Sequence, residues 1–298
     1  MNQNDEPLSD AQESPDVWYK RARGVEYRGD YPAARSICLQ AIKELEQAGE
    51  IGKLAAAHHF FGNIAYRHSQ LDEAERSFRK SLSIDEQTGN RLGTARTLNN
   101  LSAVASSRGD YSAAIDYLHT SIRIKEEFAD KRGLAASYHQ LGVTYANQGD
   151  YVSAKRYYED SLAIDTALGD HVSAARTCLA LWIDTKELSN DEEAQLWLDK
   201  AMQSVDETSS AKVAFGMAQD AKRRNSLEEA KLLFQKAITF AEHDEDRNAL
   251  SSCYFCHGAM AAQTRDFDTA TRSLKKSMEL DTELGVQDRI AQAHRWLD

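Results

Sequence analysis

The chain has 298 residues, with 36 Lys and Arg against 47 Asp and Glu and a formal net charge of -11, so it lacks the basic footprint that a stable nucleic-acid complex needs. Hydrophobic residues make up 42% of it, enough to bury a core, yet its longest apolar runs, such as Cys178 to Ile183, fall far short of the roughly 18 residues of a membrane helix. The only prolines are Pro7, Pro15 and Pro32, which leaves almost the whole chain free to be helical, and Cys38, Cys178, Cys253 and Cys256 are too few and too scattered for a disulfide framework.

In chain order, residues 1–14 come first, polar and acidic, and read as a disordered tail. No Lys or Arg precedes Lys20, the opposite of a signal peptide's charged start and apolar stretch, so a cytoplasmic location is expected. A period of 40 residues then organises the chain. Ala34, Ala74, Ala114, Ala154 and Ala194 mark successive steps, and Ala230 and Ala270 continue the series after one step of 36. Seven units over residues 15–290 follow from this spacing. The same neighbours recur before each alanine: Gly29-Asp30-Tyr31 with Pro32 behind it, Ser69-Gln70-Leu71, Gly109-Asp110-Tyr111, Gly149-Asp150-Tyr151 and the weaker Arg265-Asp266-Phe267. The glycine suits the left-handed turn that ends one helix, the aspartate caps the next, and proline fits a first helical turn.

Upstream of each turn, apolar residues at helical spacing predict a first helix, as in Leu98, Leu101 and Ala105 or Tyr138, Leu141 and Tyr145. Downstream, Tyr151, Ala154, Tyr158 and Leu162 predict a second, ending near Gly169, with Gly49 and Gly89 in the same place earlier. One such hairpin cannot cover its own apolar face, so the hairpins are expected to stack. The later units depart from the pattern: Trp182 stands where Gly62 and Gly142 are small, and Asp191 replaces the turn aromatic. Residues 291–298 read as a short C-terminal helix start or cap.

The unit around Thr97 to Ile124 resembles a kinesin light chain repeat, and Phe61 to Tyr66 with the Gly169-Asp170 junction resembles repeats of Pins-type regulators and of bacterial sensor solenoids. These residues place the chain's likeness with the tetratricopeptide repeat (TPR) family in its 40-residue variety. The resemblance implies an all-α fold, an α-α superhelix of about seven helix-turn-helix units, in which the first helix of each unit lines a concave groove. The function it implies is that of a non-enzymatic adaptor taking a peptide or protein segment. The alternative is a receptor for a small signalling peptide, similar to the Rap-type regulators.

No phosphate loop, H-E-x-x-H or G-x-S-x-G occurs, so no enzyme is expected. Cys253-Tyr254-Phe255-Cys256-His257 spells the C-x-x-C-H of haem attachment. It falls inside a first helix, at positions that pack, and zinc would need two further ligands, so neither metal nor cofactor is expected.

Groove positions follow from the period. His59, Asn99 and His139 stand fifteen residues before the repeated alanine, Asn100 and Gln140 fourteen, Asn63 eleven, and Arg96 and Arg176 eighteen. Units two to four thus offer amides, imidazoles and guanidinium groups, whereas the fifteen-before position in units five to seven offers Leu179, Phe215 and Phe255. A side-chain amide both donates and accepts, which suits the backbone of an extended peptide, and Arg adds a fork for a carboxylate. The peptide-binding candidates are therefore His59, Asn63, Arg96, Asn99, Asn100, His139, Gln140 and Arg176. In TPR domains that clamp acidic chaperone tails, two Asn act with several basic residues. Asn63 and Asn100 match the former, but His59, Ala136 and Gln140 stand where the bases would be, so a chaperone tail is not expected. The expected partner is a protein or peptide, without nucleic acid or membrane; oligomeric state stays open.

Overall fold

The computed structural model describes residues 15–27, 30–208, 211–223, 226–243 and 245–297. The acidic segment 1–14 and Gly29 lie outside the described residues. Regular structure among the described residues is entirely helical. Seven successive hairpins pair α1 (Pro15–Tyr27) with α2 (Tyr31–Ala48), α3 (Ile51–Arg67) with α4 (Leu71–Gln87), α5 (Arg91–Ser107) with α6 (Tyr111–Glu127), α7 (Lys131–Gln148) with α8 (Tyr151–Ala167), α9 (His171–Glu187) with α10 (Asp191–Thr208), α11 (Ala211–Arg223) with α12 (Leu227–His243), and α13 (Arg247–Gln263) with α14 (Phe267–Leu284). A fifteenth helix, α15 (Gln287–Leu297), packs on α14 and α13. The fold class is that of an all-α TPR solenoid.

Local chemistry sets the hairpin boundaries. The carboxylates of Asp30, Asp110, Asp150 and Asp266 each accept the backbone N–H three residues on, at 3.0 to 3.2 Å. This caps one of the donors that a helix start leaves unpaired. Gln70 occupies the same turn without a side-chain cap. Among the described residues, Gly109 and Gly149 turn left-handed just before their caps at φ 80° and 86°, and Ser69, Ser189 and Arg265 do so at 57° to 63° without glycine's freedom.

Packing explains the period. All seven repeated alanines are at most 3% exposed, buried in the packing between helices. Twelve residues before the alanine stands a second small residue in every unit but the fifth, and four after it a large one in every unit but the first, which has Cys38. A Cβ added to Gly62 would lie 2.6 Å from the Phe78 ring, and one on Gly258 2.8 Å from Leu274 Cγ. Large therefore fills the space that small leaves, giving the close packing of a protein interior. Trp182 breaks the rule as the sequence suggests, and it is buried, 2% exposed. Hydroxyl pairs mark where one hairpin meets the next, with Ser81 facing Thr97 at 3.4 Å and Ser121 facing Ser137 at 3.3 Å.

By internal packing the chain divides into two compact units, residues 1–157 and 158–298, the division falling within α8. In the first unit α3, α5 and α7 lie side by side, as do α11 and α13 in the second.

Candidate functional site

In the first unit the adjoining first helices α3, α5 and α7 carry most of the polar candidates. His59 and Asn63 are one helical turn apart on α3 and so share a face. The Asn63 amide nitrogen lies 3.3 Å from His59 Nδ1. From α5, the Asn100 amide donates to Asn63 Oδ1 at 2.9 Å and lies 2.9 Å from His59 Nε2. These three residues thus form one hydrogen-bonded cluster that ties α3 to α5. Burial, reinforced by the Arg96 guanidinium, pushes the His59 pKa down to about 4. The ring is therefore neutral at pH 7 and can accept an amide N–H at only one of its two nitrogens.

Asn99 ties α5 to α7 in the same way. Its Oδ1 accepts from the Ser137 hydroxyl at 2.9 Å, and Ser137 Oγ accepts from Lys125 Nζ at 2.7 Å. Beneath them the Ser121 hydroxyl donates to the Ala95 carbonyl at 2.7 Å. Lys125 is 2% exposed, and burial pushes its pKa down to about 8, opposed by the charge of Asp130. Lys125, Ser121 and Ser137 were not among the sequence candidates. A signal for them existed: eleven residues after the repeated alanine stand Asp85, Lys125, Asp165 and Asp281, every one at most 5% exposed. Reading only the exposed positions of first helices passed over this buried charged position at the end of the second helices.

The remaining candidates are placed as follows. Arg96 is exposed on α5 and makes no hydrogen bond or ion pair among the described residues, although its charge reaches His59, Asp85 and Lys125. His139 and Gln140 are half-buried on α7, and the Gln140 amide has no hydrogen-bond partner among the described residues. Arg176 is exposed on α9 and belongs to the second unit. The structure thus gathers His59, Asn63, Asn99 and Asn100 into networks between helices, leaving Arg96 and Gln140 with unused hydrogen-bonding capacity.

The C-x-x-C-H segment is absorbed into α13. Cys253, Tyr254 and His257 are buried at 1%, 8% and 5% exposure. Burial pushes the Cys253 thiol up to about 12 and raises Cys256 as well, so both remain thiols at pH 7, poor as nucleophiles or metal ligands.

Residues 53–127 and again 134–171 match the tetratricopeptide repeat. No curated protein matches its sequence. Among solved structures it is similar to a Rap protein complexed with competence and sporulation factor, at a TM-score of 0.64 and 13% identity over 92% of this chain and 76% of that one. The Rap conjugation gene regulator of the plasmid pLS20, in complex with a Phr peptide, superposes at 0.60 with 15% identity over 98% and 82% of the two chains. Kinesin light chain TPR-like repeats of Podosopora anserina superpose at 0.53 with 18% identity over 66% and 99%. At such identities the likeness is one of fold, that of a protein-interaction repeat scaffold. No helix among the described residues is long and apolar enough to cross a membrane.

Proposed function

We propose that the chain is a non-enzymatic adaptor that binds an extended peptide or protein segment along the face formed by α3, α5 and α7. One observation carries this reading: four amides, Asn63, Asn99, Asn100 and Gln140, line adjoining helices half-buried, beside the exposed and unpaired Arg96. The networks hold the amides in fixed directions while leaving part of their capacity open. Gln140 keeps both its donors and its acceptor, which suits an extended backbone. Arg96 would fork onto a carboxylate of the bound segment.

The Rap-type alternative, a receptor for a signalling peptide, draws support from the two Rap structures with bound peptides. Both readings place a peptide on the same helices, and they differ in whether the protein compacts on binding. A cytoplasmic location remains part of the proposal.

The experiment is affinity capture from native lysate by the full chain, read by mass spectrometry beside an Arg96→Ala, Gln140→Ala variant. Neither side chain makes a hydrogen bond among the described residues, so the variant keeps the helix-to-helix networks. Partners recovered by the wild type and lost by the variant are expected. Equal recovery by both would overturn the assignment of binding to this face.

A further inference from the structure

In the second unit, α12 and α14 flank a cavity of about 550 Å³ whose floor is α13. That volume suits a small ligand. Tyr254 and His257 form the floor; Lys231 projects from α12, and Arg272 and Lys276 from α14. Lys276 is held in place, its Nζ donating to the Tyr254 hydroxyl at 3.0 Å and lying 4.8 Å from the ring centre, while that hydroxyl donates to Glu242 at 2.7 Å. Arg272 is exposed and has no hydrogen bond or ion pair among the described residues. His257 uses only Nδ1, 3.1 Å from Ser273 Oγ. A neutral ring accepting the serine proton there presents Nε2–H as a donor. Glu228 is the one acid of the lining, and Asp266 lies 3.5 Å from Lys231 outside it.

The repeat supplies an internal control. Lys231, Arg272 and Lys276 stand one residue after Ala230 and two and six after Ala270; Arg35, Arg76 and Lys80 stand at the same places around Ala34 and Ala74. Between α2 and α4, however, that charge is answered from within. Glu73 pairs with Arg35 at 2.8 Å and accepts the Tyr31 hydroxyl. Thr269 replaces Glu73 in the α12–α14 trough, and His257 replaces Phe61 on its floor. These two changes exchange the carboxylate that answers Arg35 for a hydroxyl and add a donor, while Asp266 and Glu228, at the places of Gln70 and Pro32, supply acids beside Lys231 and leave Arg272 without an ion pair among the described residues.

We propose that this cavity binds a phosphate dianion, free or as the monoester of a small polar molecule. Arg272 forks onto two of its oxygens, Lys276, Lys231 and His257 Nε2–H take the others, and Gln235 and Glu228 face the body of an ester. The site is independent of the peptide face on the first unit.

Calorimetry on the full chain at low salt, with glucose 6-phosphate, inorganic phosphate, glucose and citrate as probes, tests it. Saturable binding of the phosphates and none of glucose is expected. Arg272→Ala should weaken binding about tenfold or more, as loss of a charge-assisted contact does, and Thr269→Glu should do the same by restoring the internal anion. Lys275→Ala, on the same helix but outside the lining, should leave binding unchanged. Tighter binding of the ester than of phosphate identifies an ester as the source, and equal binding identifies free phosphate; either supports the site. Absence of phosphate binding, citrate binding as tightly as phosphate, or full binding by Arg272→Ala would overturn it.

Discussion

The same register carries opposite chemistry in the two units. Fifteen residues before the repeated alanine, the first unit places His59, Asn99 and His139, half-buried and polar, whereas the second places Leu179, Phe215 and Phe255. Leu179 is 1% exposed and its neighbour Trp182 2%, so α9 has drawn into the core a stretch that α3 and α5 use for hydrogen bonds between helices. Helical register alone therefore fixes which residues face one another across a hairpin. Whether that face becomes core or polar contact depends on the side chains, because burying an amide is tolerated only where a partner such as Asn100 or Ser137 is supplied.

The repeated alanine is common to both units, and its replacement is the largest break expected. Ala114→Asp puts a charge without a partner at a position 0% exposed, at a cost of several kcal/mol, roughly 3–5. Ala230→Asp is its counterpart in the second unit, also at 0%. Chemical denaturation followed by circular dichroism should show each variant losing cooperative structure. An Ala114→Asp curve that overlays the wild type would refute the register on which both units are described.

That register was legible in the sequence because seven alanines and five turn signatures repeat it, and each answers a geometric demand. The turns were legible even without glycine, since Asp266 caps α14 although Arg265 must turn left-handed before it. The candidate face was legible only in part. Period arithmetic named His59, Asn63, Asn99 and Asn100, but it gave no sign that these residues bond to one another across α3, α5 and α7, because that depends on the tilt between neighbouring hairpins. Arg176 shows the same gap: it shares the period of Arg96 yet belongs to the second unit. Lys125 was missed for a different reason, since lysine is almost never fully buried and a charged residue is read as exposed.

Lys125 sharpens the comparison next, because at its place in the repeat the second unit buries the carboxylates Asp165 and Asp281 and, once, Ala241, but no cation. Below pH 8 the ammonium is charged in both folded and unfolded chains, and folding bears the whole cost of burying it. Between the folded value of about 8 and the ordinary 10.5, the unfolded chain holds the proton that the folded one releases, so stability rises with pH and the cost is gone above 10.5. Lys125→Met, which keeps the volume and drops the charge, should therefore stabilise the protein by about 3 kcal/mol at pH 7. Its advantage should shrink as pH climbs toward 10. Urea midpoints of wild type and variant at pH 7 and pH 10 measure this, and a constant difference would mean that the folded protein does not hold Lys125 out of water.

The smallest effect compares the two units at one atom. A methyl added at Gly62 meets only the Phe78 ring, at 2.6 to 3.0 Å, whereas at Gly258 it meets Leu274 Cγ at 2.8 Å, the Leu274 backbone nitrogen at 3.0 Å and Ser273 Cβ at 3.1 Å. A ring can turn about its side-chain bonds, but backbone moves only by shifting α14 against α13. Overpacking costs roughly 1–3 kcal/mol, and alanine in place of a helical glycine returns up to about 1 kcal/mol. Gly258→Ala should then lose about 2 kcal/mol and Gly62→Ala no more than about 1 kcal/mol. Denaturation midpoints of the two variants decide it. A larger loss at Gly62 would show that Phe78, buried to 1% exposure, is gripped as tightly as a backbone, and that the first unit is the more closely packed of the two.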